Sequence, residues 1–171
     1  EKLRKHTYMK SKLILIGGEA WTGKSTCARN LFARLGNSAW LDGDDVWRVN
    51  PWSLDDPRLR TSDINMAFVL QTYLQSGFGY VILSSIVLSD PSITARILER
   101  ISGVDYDLLS FTLVCAERTL VERAKQRDGA SDPQFLLLAQ TLALTDTIKI
   151  DTTDRCPDEV AVEMLAVILA S

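Results

Sequence analysis

Eight consecutive residues, Gly18-Glu19-Ala20-Trp21-Thr22-Gly23-Lys24-Ser25, match the spacing G-x-x-x-x-G-K-[ST], whose chemistry is the holding of phosphate. Glycine at each end lets the backbone turn tightly and approach an anion with no Cβ in the way. The main-chain N–H groups of the turn, from Gly18 through Glu19, Ala20, Trp21, Thr22 and Gly23, are expected to point into one concavity. With the positive end of a following helix they suit the α- and β-phosphates of a nucleotide. Lys24 places a compact cation between the β- and γ-phosphates, the Ser25 hydroxyl enters the coordination shell of Mg²⁺, and Thr26 reaches the α-phosphate. ATP and Mg²⁺ are the expected cofactors.

Asp42, Asp44 and Asp45 put three carboxylates into four residues. They follow the short apolar run Ser38-Ala39-Trp40-Leu41, where ligands bind if that run is a parallel strand. The plainer alternative is a cluster capping the next helix, with Asp45 as the cap or simply solvated. Behind it lie Trp47, Arg48, Trp52, Arg58 and Arg60. An arginine there can grip a carboxylate or phosphate with two prongs, and a tryptophan can form an apolar wall, stack on a ring or belong to the core. Further on, Arg123 and Arg127 stand four apart on one helical face before a polar, glycine-containing loop at Asp128–Pro133. They either close on phosphate or form a solvated face paired with Glu117 and Glu122.

The elements that must position these residues alternate between strand and helix. Leu13–Ile16 reads as a strand leading into the glycine turn, and Lys24–Leu35 as a helix closed by Gly36. Strands follow at Ser38–Leu41, Tyr80–Ser85, Leu108–Cys115 and Thr147–Asp151. Helices are predicted over 59–76, with Ile64, Ala67, Phe68, Gln71 and Leu74 on one face, and from Pro91, capped by Asp90, to about Ile101. Three more are predicted over Glu117–Arg127, over the apolar stretch Gln134–Leu144, and from Pro157 through Ala170. This order calls for a parallel sheet with helices on both faces and right-handed crossovers.

With 171 residues, 46% of them hydrophobic and 24% charged, the chain reads as one domain over 9–171. Residues 1–8 read as an upstream extension, an expression remnant or a mobile arm. A net charge of −3 leaves no basic field, so nucleic acid is not an expected partner. No apolar run is long enough to span a bilayer. The three cysteines are widely spaced and form no C-x-x-C pair, which suits reduced thiols in a cytoplasm. The single histidine, His6, lies in the N-terminal arm, so a Ser-His-Asp triad lacks its central member.

Taken together, Gly18–Ser25, the Asp42-Gly43-Asp44 step, the Arg123 and Arg127 pair and the closing strand, loop and Pro157 helix resemble the P-loop small-molecule kinases. That group includes the gluconate, shikimate and adenylylsulfate kinases and the chloramphenicol phosphotransferases, alongside the nucleoside-monophosphate kinases. The resemblance implies a three-layer α/β/α fold whose five-stranded parallel sheet has the order 2-3-1-4-5, with ATP at its C-terminal edge. It implies Asp42 near Mg²⁺ through water, and Asp44 accepting a hydrogen bond, then the proton, from the acceptor hydroxyl. Arg123 and Arg127 would close on the phosphates as part of a lid, Pro157 would lie against adenine, and the segment carrying Trp47, Arg48 and Arg58 would cover the acceptor. The chain departs from the pattern at Ser84-Ser85-Ile86-Val87, which lacks both a Walker B acid and the glycine pair of shikimate kinases.

The function this implies is an ATP-dependent phosphotransferase acting on a hydroxyl of a small molecule, as a monomer or homodimer. A nucleoside or nucleotide kinase is the nearest alternative, and a nucleotide-binding switch or regulatory ATPase a more distant one. No N-K-x-D motif is present for guanine.

Overall fold

Residues 11–18 alternate their apolar side chains between two faces, and both faces are buried. Ile14 and Ile16 point one way, Leu13 and Leu15 the other, and all four are at most 1% exposed. That is the signature of a central strand covered on both sides. The computed structural model describes residues 10–53 and 55–171. The N-terminal extension 1–8, with His6, lies outside the described residues.

The central strand β1 (Ser11–Gly18) pairs in parallel with β3 (Tyr80–Ser84) and β4 (Tyr106–Val114). β2 (Ser38–Asp42) lies outside β3 and β5 (Ile148–Asp151) outside β4, so the sheet order is β2-β3-β1-β4-β5. On one face α1 (Lys24–Phe32) and α6 (Pro157–Ala170) bury Leu31, Val160, Met164 and Ile168 against Ile14, Ile16, Ile82 and Phe111. On the other, α2 (Thr61–Gln75) and α3 (Pro91–Glu99) bury Met66, Leu70, Ile93 and Ile97 against Leu13, Leu15, Val81 and Leu83. The chain is a three-layer α/β/α sandwich in the predicted strand order. α4 (Glu117–Asp128) and the short α5 (Leu138–Ala143) complete it.

Four expectations need correction. α1 stops at Phe32, and the left-handed residue after it is Asn37 at φ 53°, not Gly36. The inward face of α2 is Asp63, Met66, Ala67, Leu70 and Leu74, which leaves Ile64 and Phe68 49% and 73% exposed. Asp63 takes an inward position because Arg96 of α3 binds its carboxylate through Nε and Nη2 at 3.1 and 3.0 Å. A buried charge is tolerated when paired in this way.

The helix predicted over Gln134–Leu144 forms only over Leu138–Ala143. Phe135 is turned edge-on to Trp21, and the Leu137 N–H is donated to the Glu19 carboxylate at 2.7 Å, so the segment before 138 is drawn out instead of winding. The residues Pro57–Arg60 form a 3₁₀ turn ahead of α2, whose helical bonds begin only at Thr61. Asp56 caps that turn by accepting the Arg58 N–H at 2.9 Å.

Candidate functional site

All five strands run in parallel, so their C-terminal ends share one edge of the sheet, and the candidate residues gather there. The turn from β1 into α1 has the geometry its glycines permit. Gly18 sits at φ +141°, where a Cβ would stand 2.6 Å from the Leu113 carbonyl oxygen, and Gly23 caps α1 at φ +94°. The first bond of α1 runs from the Cys27 N–H to the Gly23 carbonyl at 2.9 Å. The N–H groups of Lys24, Ser25 and Thr26 precede that bond and have no helical partner to satisfy them. Thr22 is buried and braces the turn, its hydroxyl donating to the Glu19 carbonyl at 2.8 Å.

Three adjoining cavities run along the edge. A first cavity of about 250 Å³ is lined by Ala20, Trp21, Gly23, Lys24, Ser25 and Thr26 of the turn, by Asp42 and Asp44, by Ser84, Ser85 and Ile86, and by Arg127. A second, of about 460 Å³, shares Trp21, Gly23, Thr26 and Arg127 with the first and extends over Thr22, Cys27, Arg123, Gln126, Thr152, Arg155, Pro157 and Val160. The third is an open hollow of about 560 Å³ bounded by Asp44, Trp47, Arg48, Val49, Asn50 and Trp52. Asp44 alone lines both the first and the third.

The carboxylates are held beside the turn by a close approach of two strand ends. A Cβ on Gly43 would lie 2.5 Å from the Ser85 hydroxyl, so only glycine lets β2 leave the sheet this near to β3. Asp42 accepts the Asp44 N–H at 3.2 Å and so caps the short 3₁₀ turn Gly43–Val46. The capping role thus falls to Asp42. Asp45 stands exposed and pairs with Arg48.

Lys24 folds onto its own loop, its ammonium donating to the Glu19 carbonyl at 2.8 Å. Burial pushes its pKa down to about 8, against the upward pull of the Glu19, Asp44 and Asp42 carboxylates. A cation short of water, three unpaired amide donors and the oxygen ligands of Ser25 and Asp42 in one cavity fit a nucleotide phosphate carrying Mg²⁺. One direct protein ligand, Ser25, with Asp42 acting through water, is enough for an ion that keeps its waters and shares the phosphate oxygens. No larger cluster of metal-ligating side chains exists among the described residues. Cys27 lies behind the turn with its thiol pushed up to about 11 by burial, which removes it as a nucleophile.

The two arginines expected to act together are held differently. The Arg123 guanidinium donates to the Thr152 carbonyl at 2.6 Å, to the Thr152 hydroxyl at 3.2 Å and to the Trp21 carbonyl at 3.4 Å. It ties α4 to the β5–α6 loop and to the phosphate turn. Arg127 is exposed, pairs with Asp128 and stands 5.9 Å over the Trp21 ring. Neither arginine pairs with Glu117 or Glu122. Pro157 lines the second cavity at the start of α6. Trp47 and Arg48 line the hollow, whereas Arg58 lines none of the three cavities because Asp56 holds its guanidinium.

Two participants were not anticipated from the sequence in their present roles. Glu19, 2% exposed, turns its side chain away from the cavity, and its two carboxylate oxygens accept the Ala20 and Leu137 N–H groups, each at 2.7 Å. Thr152 is a buried junction whose hydroxyl faces the carbonyls of Thr22 at 3.1 Å and Val114 at 3.3 Å as well as Arg123. An acidic residue after the first glycine was the only signal for Glu19, and Thr152 carried none.

No family model matches the chain, and no curated protein is a match. Solved structures are similar over nearly its whole length. The tunicamycin resistance protein of Deinococcus radiodurans superposes with a TM-score of 0.69 at 22% identity, covering 93% of this chain and 96% of that one. An APS kinase of Mycobacterium tuberculosis, in complex with AMPPNP and APS, gives 0.67 at 18% identity, covering 93% and 98%. A gluconokinase of Sinorhizobium meliloti 1021 gives 0.62 at 20% identity, covering 93% and 91%. The parallel sheet in the order β2-β3-β1-β4-β5, the glycine turn after β1 and these superpositions together identify the chain's fold as that of the P-loop kinases.

Proposed function

We propose that this protein is an ATP- and Mg²⁺-dependent kinase that transfers the γ-phosphoryl group to a hydroxyl of a small molecule. The observation that carries the reading is the position of Asp44, the one residue shared by the phosphate cavity and the hollow beside it. A carboxylate there reaches a hydroxyl that enters from the hollow and faces the terminal phosphate in line. Neighbours whose names include a gluconokinase and an APS kinase support the reading.

In this scheme the amides of the turn and of Lys24 and Ser25 hold the β-phosphate, Thr26 reaches the α-phosphate, and the Lys24 ammonium lies between the β- and γ-phosphates. Ser25 and Asp42, the latter through water, would hold Mg²⁺, which supplies neutralisation of the phosphate oxygens. Asp44 orients the acceptor hydroxyl and takes its proton as the new P–O bond forms and the bond to the bridging oxygen of ADP breaks. Arg127, exposed beside the cavity, offsets charge on the transferring group, while Arg123 keeps the turn and the Thr152 loop in register. The second cavity, with Pro157 in its wall, takes the nucleoside. Three free cysteines, two of them buried, suit the cytoplasm as the working compartment. No helix among the described residues is long and apolar enough to cross a membrane.

The test is ADP release measured over a panel of sugars, sugar acids, nucleosides and aminoglycosides. Stimulation by one acceptor class, with its phosphate ester as product, is the expected result. Slow hydrolysis at one unchanged rate across the panel would instead mark a nucleotide-dependent switch.

A further inference from the structure

Ser84 closes β3 at the edge of the first cavity, at the step where the sequence lacks a Walker B acid. The residue is 1% exposed. Its Cα partners in the parallel sheet are Asp42 of β2 and Ile16 of β1, and residues paired in register present their side chains on one face of a sheet. That face is the one α1 covers, because Ile14, Ile16 and Ile82 pack there with Leu31. Ser84 and Asp42 therefore stand on the side of the sheet from which α1 starts, where Lys24 and Ser25 line the same cavity. Ser85 takes the opposite face. A Cβ on Gly43 would meet its hydroxyl next to Met66 of α2, and that hydroxyl accepts the Val87 N–H at 3.3 Å to cap the 3₁₀ turn Ile86–Ser89.

The Ser84 hydroxyl is fixed from one side. The indole N–H of Trp40, two residues before Asp42 on β2, donates to Ser84 Oγ at 3.0 Å. An indole is a donor only, so this bond takes a lone pair of the oxygen and leaves the serine proton to point elsewhere. No acceptor for that proton is found among the described residues, and the neighbouring Asp42 carboxylate takes the Asp44 N–H instead, at 3.2 Å. A buried donor left in this way is costly until an oxygen meets it. Trp40 is itself held by α1, its ring 6.3 Å from that of Phe32 and 5.9 Å beneath the Arg29 guanidinium.

The place of Ser84 along the sheet edge decides which oxygen that is. Gly23 and Thr26 line both the first and the second cavity, whereas Ser84 lines the first alone, together with Asp44 on the side of the hollow. A nucleotide with its nucleoside in the second cavity brings its last phosphate to that end. Resting on the reading of the first cavity as the seat of a nucleotide's phosphates, we infer that the Ser84 hydroxyl donates to a terminal phosphate oxygen of ATP, and that Trp40 is the positioning residue that aims it. A carboxylate at position 84 would repel that oxygen, and a hydroxyl binds it. ADP has no γ-phosphate to receive the proton, so the Trp40–Ser84 pair separates triphosphate from diphosphate.

The experiment is titration calorimetry with ADP and with a non-hydrolysable ATP analogue, both with Mg²⁺, on the parent, Ser84→Ala, Trp40→Phe and the double variant. Ser84→Ala is expected to weaken binding of the analogue about tenfold and leave ADP affinity unchanged, since the hydrogen bond lost is one to a charged oxygen that only the analogue carries. Trp40→Phe keeps a ring against α1 and removes the N–H. It should weaken the analogue by a smaller factor, with ADP again unchanged, and should add nothing to Ser84→Ala because its effect runs through the hydroxyl. A merely structural role for either residue would lower both affinities together. Equal losses for the two nucleotides, a parental analogue-to-ADP ratio in Ser84→Ala, or additive effects in the double variant overturn the inference. A lowered ratio in Ser84→Ala, with no acceptor stimulating ADP release from the parent, supports the inference and overturns the kinase reading alone. Acceptor-stimulated release from the parent, with the ratio unchanged in Ser84→Ala, overturns the inference and leaves the kinase reading standing.

Discussion

The indole N–H of Trp21, in the middle of the phosphate turn, donates to the Asp128 carboxylate at the end of α4 across 2.7 Å. The same ring meets Phe135 edge-on at 5.9 Å and lies beneath Arg127. One residue of the turn therefore gathers both ends of the polar loop between α4 and α5. Trp21 is also at φ 61°, in the left-handed region where a non-glycine residue is strained by about 1–2 kcal/mol. Its hydrogen bond and aromatic pair are each worth about 1 kcal/mol, so the two sides nearly cancel. Trp21→Gly is expected to leave the melting temperature close to that of the parent. Amide exchange across 129–137 should accelerate, because the loop loses its anchor.

Glu19 holds the far side of the same connection. Glu19→Ala strands the Ala20 and Leu137 N–H groups and empties a buried site, at a cost of about 2–4 kcal/mol. Urea unfolding should show a lower midpoint with an unchanged slope. A midpoint equal to the parent's would mean that water satisfies both donors.

On the proposed reading, Lys24 should make nucleotide binding pH-dependent. Its folded pKa of about 8 lies below the ordinary 10.5, so the unfolded chain binds more protons between those values. The buried charge weakens the free protein at neutral pH, and that penalty lifts as pH rises from about 8 to 10.5. Phosphate needs the charged form, so ATP affinity should fall as pH climbs through about 8, with proton uptake visible by calorimetry in buffers of different ionisation enthalpy. Lys24→Met should abolish thermal stabilisation by ATP and leave the nucleotide-free protein at least as stable as the parent.

Asp44→Asn tests the transfer step separately from binding. The amide keeps the shape of the side chain and cannot take a proton, so kcat should fall by about 10² or more while ATP affinity is retained. Transfer at the parent rate would remove Asp44 as the base.

Arg123 and Arg127 should separate stability from turnover. Arg123→Ala breaks charge-assisted bonds to the Thr152 carbonyl and hydroxyl and should lower stability by about 1.5–3 kcal/mol. The exposed Arg127–Asp128 pair contributes about 0–1 kcal/mol, so Arg127→Ala should melt with the parent and lose kcat. Equal melting temperatures for the two variants would contradict the assignment of Arg123 as a positioning residue.

The glycine turn and the parallel sheet were legible in the chain because each depends on local chemistry: glycines where φ is positive, apolar runs where a strand is buried on both faces, Pro91 and Pro157 at helix starts; the strand order came only from the resemblance to the P-loop kinases. The face of α2 was misread because Asp63 looks like a solvent residue until Arg96, 33 positions away, supplies its partner. The helix at Gln134–Leu144 was overextended because nothing local announces that Glu19 will take the Leu137 N–H from 118 residues away. Periodicity registers burial but not a distant partner, and these two errors share that cause.

The candidate site divides along the same line. Residue types and spacing within Gly18–Thr26 were enough to specify the glycine turn and the start of α1, since its donors are backbone amides of one short segment. That Asp44 stands between two cavities, that Arg123 serves the scaffold while Arg127 faces the open cavity, and that Arg48 and Arg58 are paired with Asp45 and Asp56 were decided only when the chain folded. Those relationships join side chains from different strands and helices, and the distances that set their electrostatics exist only in the folded protein.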